Sequence, residues 1–137
     1  MTDTGEELNK RCKHIKDIVT ALAEDDDLRY DINKGILVSK DEIPSDEMGC
    51  YQDLRGYLID DNCGIKIITD LSCNTLFSCR ICVTWGGPNI YVDTDCHAVK
   101  GYWGFDNVSI IPLDASVCDR IDDMVDREWR CKKWHME

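Results

Sequence analysis

The stretch that decides the fold covers residues 83–104 and reads VTWGGPNIYVDTDCHAVKGYWG. Gly86-Gly87-Pro88 separates a run of branched and aromatic residues ending at Trp85 from another beginning at Asn89. Glycine permits positive φ at little cost and proline favours an extended residue before it, so this segment predicts a β-hairpin. A ligand-binding loop and a partner-contacting edge are the alternatives. The structural motif that we expect here consists of Trp85, Gly86, Gly87, Pro88, Tyr91, Tyr102 and Trp103.

Strand-like segments continue on both sides of this hairpin. Residues 65–69, 79–85, 89–93 and 98–103 are rich in branched and aromatic residues and are divided by turn residues. Short strands with short connections favour an antiparallel meander. We therefore predict an antiparallel sheet of about four to five short strands over residues 63–112.

Helical periodicity marks the two ends of the chain. One apolar stripe at helical spacing consists of Leu8, Cys12, Ile15, Val19 and Leu22, and a second consists of Cys118, Ile121, Val125 and Trp129. These stripes predict helices over residues 1–27 and 113–133 that cover the sheet. The expected fold class is α+β, with residues 1–137 forming a single domain and residues 28–62 forming an acidic irregular segment.

Negative charge dominates the composition. The chain has 27 acidic and 16 basic residues, a formal net charge of −11, and residues 24–61 hold twelve acidic against four basic residues, a net −8. Such a chain is unsuited to gripping nucleic-acid phosphates directly, because that requires Lys and Arg. It could instead compete for a basic groove that binds nucleic acid, or the charge could serve solubility alone.

The acidic residues are clustered rather than dispersed. Four of them, on the C-terminal helix, recur at spacings that place their side chains on one helix face, where like charges repel. We predict a partner-binding role for three groups: Glu24, Asp25, Asp26 and Asp27; Asp41, Glu42, Asp46 and Glu47; and Asp119, Asp122, Asp123 and Asp126.

A family resemblance accompanies these features. The segment GGPNIYVDT, the following Val-x-x-Tyr-Trp strand and an acidic C-terminal helix with a late Trp resemble small acidic proteins of bacterial phages and other mobile elements. The resemblance covers roughly residues 79–130. It implies a mobile-element setting, in which such proteins include or accompany inhibitors of host defence nucleases of the anti-CRISPR and antirestriction kind.

Nine cysteines leave three interpretations open: buried apolar side chains, a metal site, or disulfides. The N-terminus lacks an apolar export signal, so we expect a location in the bacterial cytoplasm, where thiols stay reduced. The metal-ligand candidates are Cys79 and Cys82, which a strand would place on opposite faces, and Cys131 and His135, which a helix would place one turn apart. The expected cofactor is none, with a structural zinc left open.

Catalytic signatures are not evident in the sequence. The three histidines do not accompany a nucleophile elbow or a cysteine-protease signature, so we expect a non-enzymatic protein. The preferred hypothesis is an inhibitor that occupies the basic nucleic-acid groove of a CRISPR effector of the Cas9 type, or of another host nuclease, without binding nucleic acid or membrane itself. The alternative is a zinc- or cysteine-stabilised interaction module of a mobile element, with the aromatic hairpin as its contact surface.

Overall fold

The computed structural model describes residues 4–60, 62–71 and 76–135, with side chains described as far as Cys131. Two long helices lie at the ends of this part of the chain, α1 (Thr4–Glu24) and α2 (Ala115–His135). The strands between them are β1 (Leu28–Asp31), β2 (Ile36–Ser39), β3 (Tyr51–Gln52), β4 (Gly64–Thr69), β5 (Leu76–Thr84), β6 (Asn89–Asp93), β7 (Ala98–Trp103) and β8 (Asn107–Pro112). None of the helices in the described ranges is long and apolar enough to cross a membrane.

Strands β4 to β8 form a five-stranded antiparallel sheet in which each strand pairs with the next along the chain. This arrangement confirms the predicted α+β class, the meander and the two covering helices. Strand β8, which was not among the strand-like segments identified from the sequence, closes the sheet by pairing with β7 from Ala98↔Pro112 to Trp103↔Asn107.

Both helices pack on the same face of this sheet. All five residues of the predicted stripe on α1 are buried, as are Cys118, Ile121 and Val125 of α2. Helix α1 lies against β7 and β8, and its approach requires a residue without a side chain at Gly101. A Cβ atom there would lie 2.5 Å from Cys12 Sγ and 2.7 Å from Leu8 Cδ1.

The turn between β5 and β6 confirms the predicted hairpin. Gly86 adopts φ +93°, a conformation that strains any residue with a side chain. Its backbone N–H donates to Asn89 Oδ1 at 3.1 Å, and the Thr84 hydroxyl donates to the Pro88 carbonyl at 2.8 Å. Gly87 does not have positive φ, so only one of the two glycines is used for its backbone freedom.

The prediction of an irregular segment over residues 28–62 is wrong. Strands β1, β2 and β3 form a small antiparallel sheet in the order β2-β1-β3. The β1–β2 turn uses Gly35 at φ +67° and the buried Asp31, whose Oδ1 accepts hydrogen bonds from the backbone N–H groups of Asn33 and Lys34. Two 3₁₀ helices (Lys40–Glu42 and Ser45–Cys50) and a π-helical turn (Gly56–Asp60) follow β2. Residues 35–38 resemble a short strand in sequence, but four-residue strands are too short for an alternating pattern to define a sheet.

Candidate functional site: an acidic surface around a cleft

Three acidic segments that are distant in sequence are linked to one another in the fold. Arg120 of α2 pairs with Asp26, just after α1, with 3.0 Å between Nη2 and Oδ1. On the other side, Lys40 Nζ lies 3.1 Å from Asp27 Oδ1, and the Lys40 N–H donates to the Asp27 carbonyl at 2.7 Å. The end of α1 is therefore bridged to α2 and to the first 3₁₀ helix.

Eight of the twelve predicted acidic residues are exposed and have no ion pair with any residue in the described ranges. We call these eight, together with the bridged Asp26 and Asp27, the acidic surface. The eight are Glu24, Asp25, Asp41, Glu42, Asp46, Glu47, Asp119 and Asp123. Their side chains are exposed to solvent, so they are available to a cationic partner.

A cleft of about 700 Å³ lies within this region, between the end of α1, β1, residues 53–55 and α2. Its apolar lining includes Leu22, Leu54 and Met124. Its charged lining is balanced, with four arginines and four carboxylates: Arg29, Arg55, Arg120 and Arg127, and Asp26, Asp53, Asp123 and Glu128. The charged lining carries no net charge, and the apolar wall could contact the aliphatic stem of a long side chain whose head reaches a carboxylate.

Several cleft arginines are held by the protein itself. Arg55 pairs with Glu128 of α2 and also lies 3.1 Å from Asp60 Oδ1. Arg29 Nη1 donates to the carbonyls of Asp26 at 2.6 Å and Leu28 at 2.7 Å. These contacts brace the walls of the cleft, because they tie the arginine side chains to the segments that form those walls.

Asp122 is half-buried and turns one carboxylate oxygen toward the sheet, so the prediction that all four carboxylates of α2 face outward is wrong. Its Oδ1 accepts a 2.6 Å hydrogen bond from the Thr94 hydroxyl and lies 3.6 Å from Cys79 Sγ. Burial raises the pKa of Asp122 above its ordinary value, although the bonds from Thr94 and Cys79 act in the opposite direction. The side chain joins α2 to the sheet instead.

Asp126 is also less exposed than Asp119 and Asp123, the two exposed carboxylates of the same helix. It is half-buried, and its Oδ2 lies 2.9 Å from Arg130 Nε. Its other carboxylate oxygen is buried without a hydrogen-bond partner in the described part of the chain. Helix α2 therefore contributes Asp119 and Asp123 to the acidic surface, because α2 is turned so that Asp122 faces β5.

The metal-ligand candidates whose side chains the structure describes, Cys79, Cys82 and Cys131, do not come together. Cys79 is buried toward α2, whereas Cys82 lies on the opposite sheet face, as their spacing in a strand predicted. Cys131 is exposed near the end of α2, and the side chain of His135 lies outside the described residues. Within the described ranges, no three His, Cys, Asp or Glu residues form a group that could hold a metal ion. Burial raises the pKa of the Cys79 thiol to about 12, so it stays protonated at neutral pH.

The aromatic residues of the hairpin motif have different roles. Trp85 is 68% exposed beside the turn. Tyr91 and Tyr102 contact each other edge to face with ring centroids 6.2 Å apart. Trp103 is half-buried, and the Arg11 guanidinium of α1 lies 5.2 Å from its ring centroid. The motif is thus mainly structural, with Trp85 as its one strongly exposed aromatic side chain.

No protein-family model matches the chain, and neither a curated protein nor a solved structure matches it. The resemblance to acidic mobile-element proteins over residues 79–130 therefore stays a prediction. The bridging residues Lys40 and Arg120 were not among the predicted site residues, because no local pattern indicates a pair such as Arg120–Asp26, which is 94 residues apart in sequence.

Proposed function

We propose that this protein is a non-catalytic inhibitor that occupies the basic nucleic-acid channel of a host defence nuclease in the bacterial cytoplasm. The observation that carries the proposal is the acidic surface, in which eight exposed carboxylates have no ion partner among the described residues. Six of them lie on segments bridged by Asp26–Arg120 and Asp27–Lys40. Carboxylates held on a folded scaffold can pair with the Lys and Arg side chains that otherwise bind phosphates. A CRISPR effector of the Cas9 type is the first partner to test.

The cleft supports the same proposal. Asp26 and Asp123 line it beside Leu22 and Met124, so an arginine or lysine of the channel could insert there as an anchor. Exposed ion pairs alone contribute little affinity, whereas a partly buried anchor adds apolar contact. The surrounding carboxylates would then act mainly on the association rate and its salt dependence.

Competition with nucleic acid tests the proposal directly. Binding of a Cas9-type effector to its target DNA is measured at several salt concentrations with increasing amounts of this protein. We expect displacement at low salt that weakens as salt rises, because the ion pairs are screened. Absence of displacement at low salt from this effector and from a restriction nuclease would rule out nucleic-acid mimicry.

A matched pair of variants distinguishes the effect of the acidic surface on competition from the effect of the net charge of the protein. The test variant carries Asp41→Asn, Asp119→Asn and Asp123→Asn, and the control carries Glu6→Gln, Asp17→Asn and Asp106→Asn. All six residues are exposed, and both variants lose three negative charges. We expect only the test variant to compete poorly; equal competition by the two would mean that the acidic surface has no specific role.

The exposed Trp85 favours a second candidate function, an interaction module that uses the aromatic hairpin as its contact surface. In this hypothesis, zinc or cysteines stabilise the fold and the acidic residues serve solubility. Metal analysis after purification without chelator distinguishes the two proposals. One zinc per chain that survives dialysis, with loss of fold on chelation, would favour the module.

A further inference from the structure

The face of the five-stranded sheet opposite the helices has a different character from the rest of the molecule. Lys66 pairs in register with Arg80, and Cys82 pairs with Tyr91, so these four side chains lie on this outer face. They line a pocket of about 340 Å³ together with Cys63 and Trp85. The volume is at the lower end of the range for small-molecule sites.

The pocket is electropositive in a protein of net charge −11. The described residues that line it include Lys66 and Arg80 and no carboxylate. Neither cation has an ion pair with a described residue. In a chain with a large excess of acidic residues, two unpaired cations in one pocket are a local concentration of positive charge.

Arg80 carries a donor that the described part of the protein leaves unused. Its guanidinium lies 3.9 Å from the Tyr91 ring centroid, and this contact holds the side chain in place. Its Nε atom is buried and has no hydrogen-bond partner among the described residues. Because that atom is itself buried, an anionic ligand in the pocket would be met by the Nη groups of the same guanidinium, which lines the pocket.

The neighbouring Trp85 supplies a surface for a flat group. Its indole is strongly exposed and lines the same pocket as the two cations. An exposed aromatic ring beside unpaired cations is the combination that binds a base and its phosphate in single-stranded nucleic acids. We propose that this pocket binds a phosphate monoester attached to a planar ring, with Arg80 and Lys66 contacting the phosphate and Trp85 stacking on the ring.

This ligand chemistry has two sources: a free mononucleotide and the phosphorylated end of a single strand. The site lies on the sheet face opposite the two helices and shares no residue with the acidic surface. Titration calorimetry with AMP, adenosine and inorganic phosphate tests the shared chemistry. We expect AMP to bind about tenfold more tightly than either fragment, because only AMP engages both the cations and the ring. No binding of AMP, or equal binding of adenosine, would overturn the proposal.

Variants assign the binding to this pocket. Arg80→Gln and Lys66→Gln should each weaken AMP binding by about tenfold, whereas Lys34→Gln removes the same charge from the exposed β1–β2 turn and should have little effect. Lys66 is exposed, so Lys66→Gln remains informative if Arg80→Gln fails to fold. Equal affinity of Lys66→Gln and Lys34→Gln for AMP would refute the site.

A 5′-phosphorylated tetranucleotide that binds more tightly than AMP identifies a strand end as the ligand, and weaker binding identifies the free nucleotide.

Discussion

The Thr94 hydroxyl donates a 2.6 Å hydrogen bond to the Asp122 carboxylate and so joins the turn after β6 to the middle of α2. The same hydroxyl accepts a 2.8 Å bond from the backbone N–H of Cys79 in β5. One buried side chain therefore connects two strands and a helix. It also explains why one of the four carboxylates on α2 turns toward the sheet.

Thr94→Val should destabilise the protein by about 2 kcal/mol, because it leaves the buried Cys79 N–H without its acceptor and removes the shorter of the two hydrogen bonds to Asp122. Valine keeps the shape of threonine, so the loss reports on hydrogen bonding. Urea denaturation followed by circular dichroism measures it. Thr94→Ser, which keeps the hydroxyl, is the control and should lose less. A Val variant as stable as the wild type would show that the bonds contribute nothing.

Asp122→Asn should change the pH dependence of stability. Burial raises the folded-state pKa of Asp122 above 3.8, so well below pH 3.8 the carboxyl is protonated in both states and no charge is buried. As the pH rises past 3.8, the unfolded chain ionises first and the folded state loses stability until its own pKa is passed. The Asn variant avoids this loss while its amide oxygen can still accept from Thr94.

The expected result is a Tm above that of the wild type at pH 7, with the difference disappearing as the pH falls below the ordinary pKa of the carboxyl, 3.8. Calorimetry from neutral pH down to that range measures it. The control is Asp119→Asn, which neutralises an exposed carboxylate one turn away. A difference between Asp122→Asn and wild type that does not change with pH would contradict the assigned pKa direction.

The adjacent glycines of the hairpin turn should respond differently to alanine. Gly86→Ala should cost about 1–2 kcal/mol, because φ +93° brings a Cβ atom into conflict with its own backbone. Gly87 lacks positive φ, and the position that a Cβ atom would take there has no neighbouring side chain or backbone within 4 Å, so Gly87→Ala should be nearly neutral. Thermal unfolding of both variants makes the comparison. Equal losses would mean that backbone conformation does not set the requirement for glycine.

Arg120→Gln should have opposite effects on stability and on inhibition. The Arg120–Asp26 pair is exposed, with side chains 54% and 86% accessible, so its loss should cost less than about 1 kcal/mol. It also releases Asp26 for a partner, so competition with target DNA should improve by about twofold. Lys34→Gln, which changes the net charge equally in the β1–β2 turn, should not improve competition. An Arg120→Gln protein that competes less well would indicate that Arg120 itself contacts the partner.

The predicted parts of the fold depend on local periodicity. The stripe from Leu8 to Leu22 and the runs on both sides of Gly86-Gly87-Pro88 indicated a helix and an antiparallel meander, because burial of one face imposes a period on neighbouring residues. The candidate site was predicted only in part. The acidic residues were identified, but the sequence did not distinguish the exposed Asp119 and Asp123 from the half-buried Asp122 and Asp126.

By itself, then, the sequence determined the two helices, the meander with its hairpin turn and the excess of negative charge. The tertiary structure alone decided which charges remain available, since this depends on pairs such as Arg120–Asp26 and Thr94–Asp122, which are 94 and 28 residues apart. It also decided that Arg80 and Lys66 share a pocket, because cross-strand register brings them together. Local patterns record which face of an element is buried, whereas the partner of a side chain is set by how the elements pack.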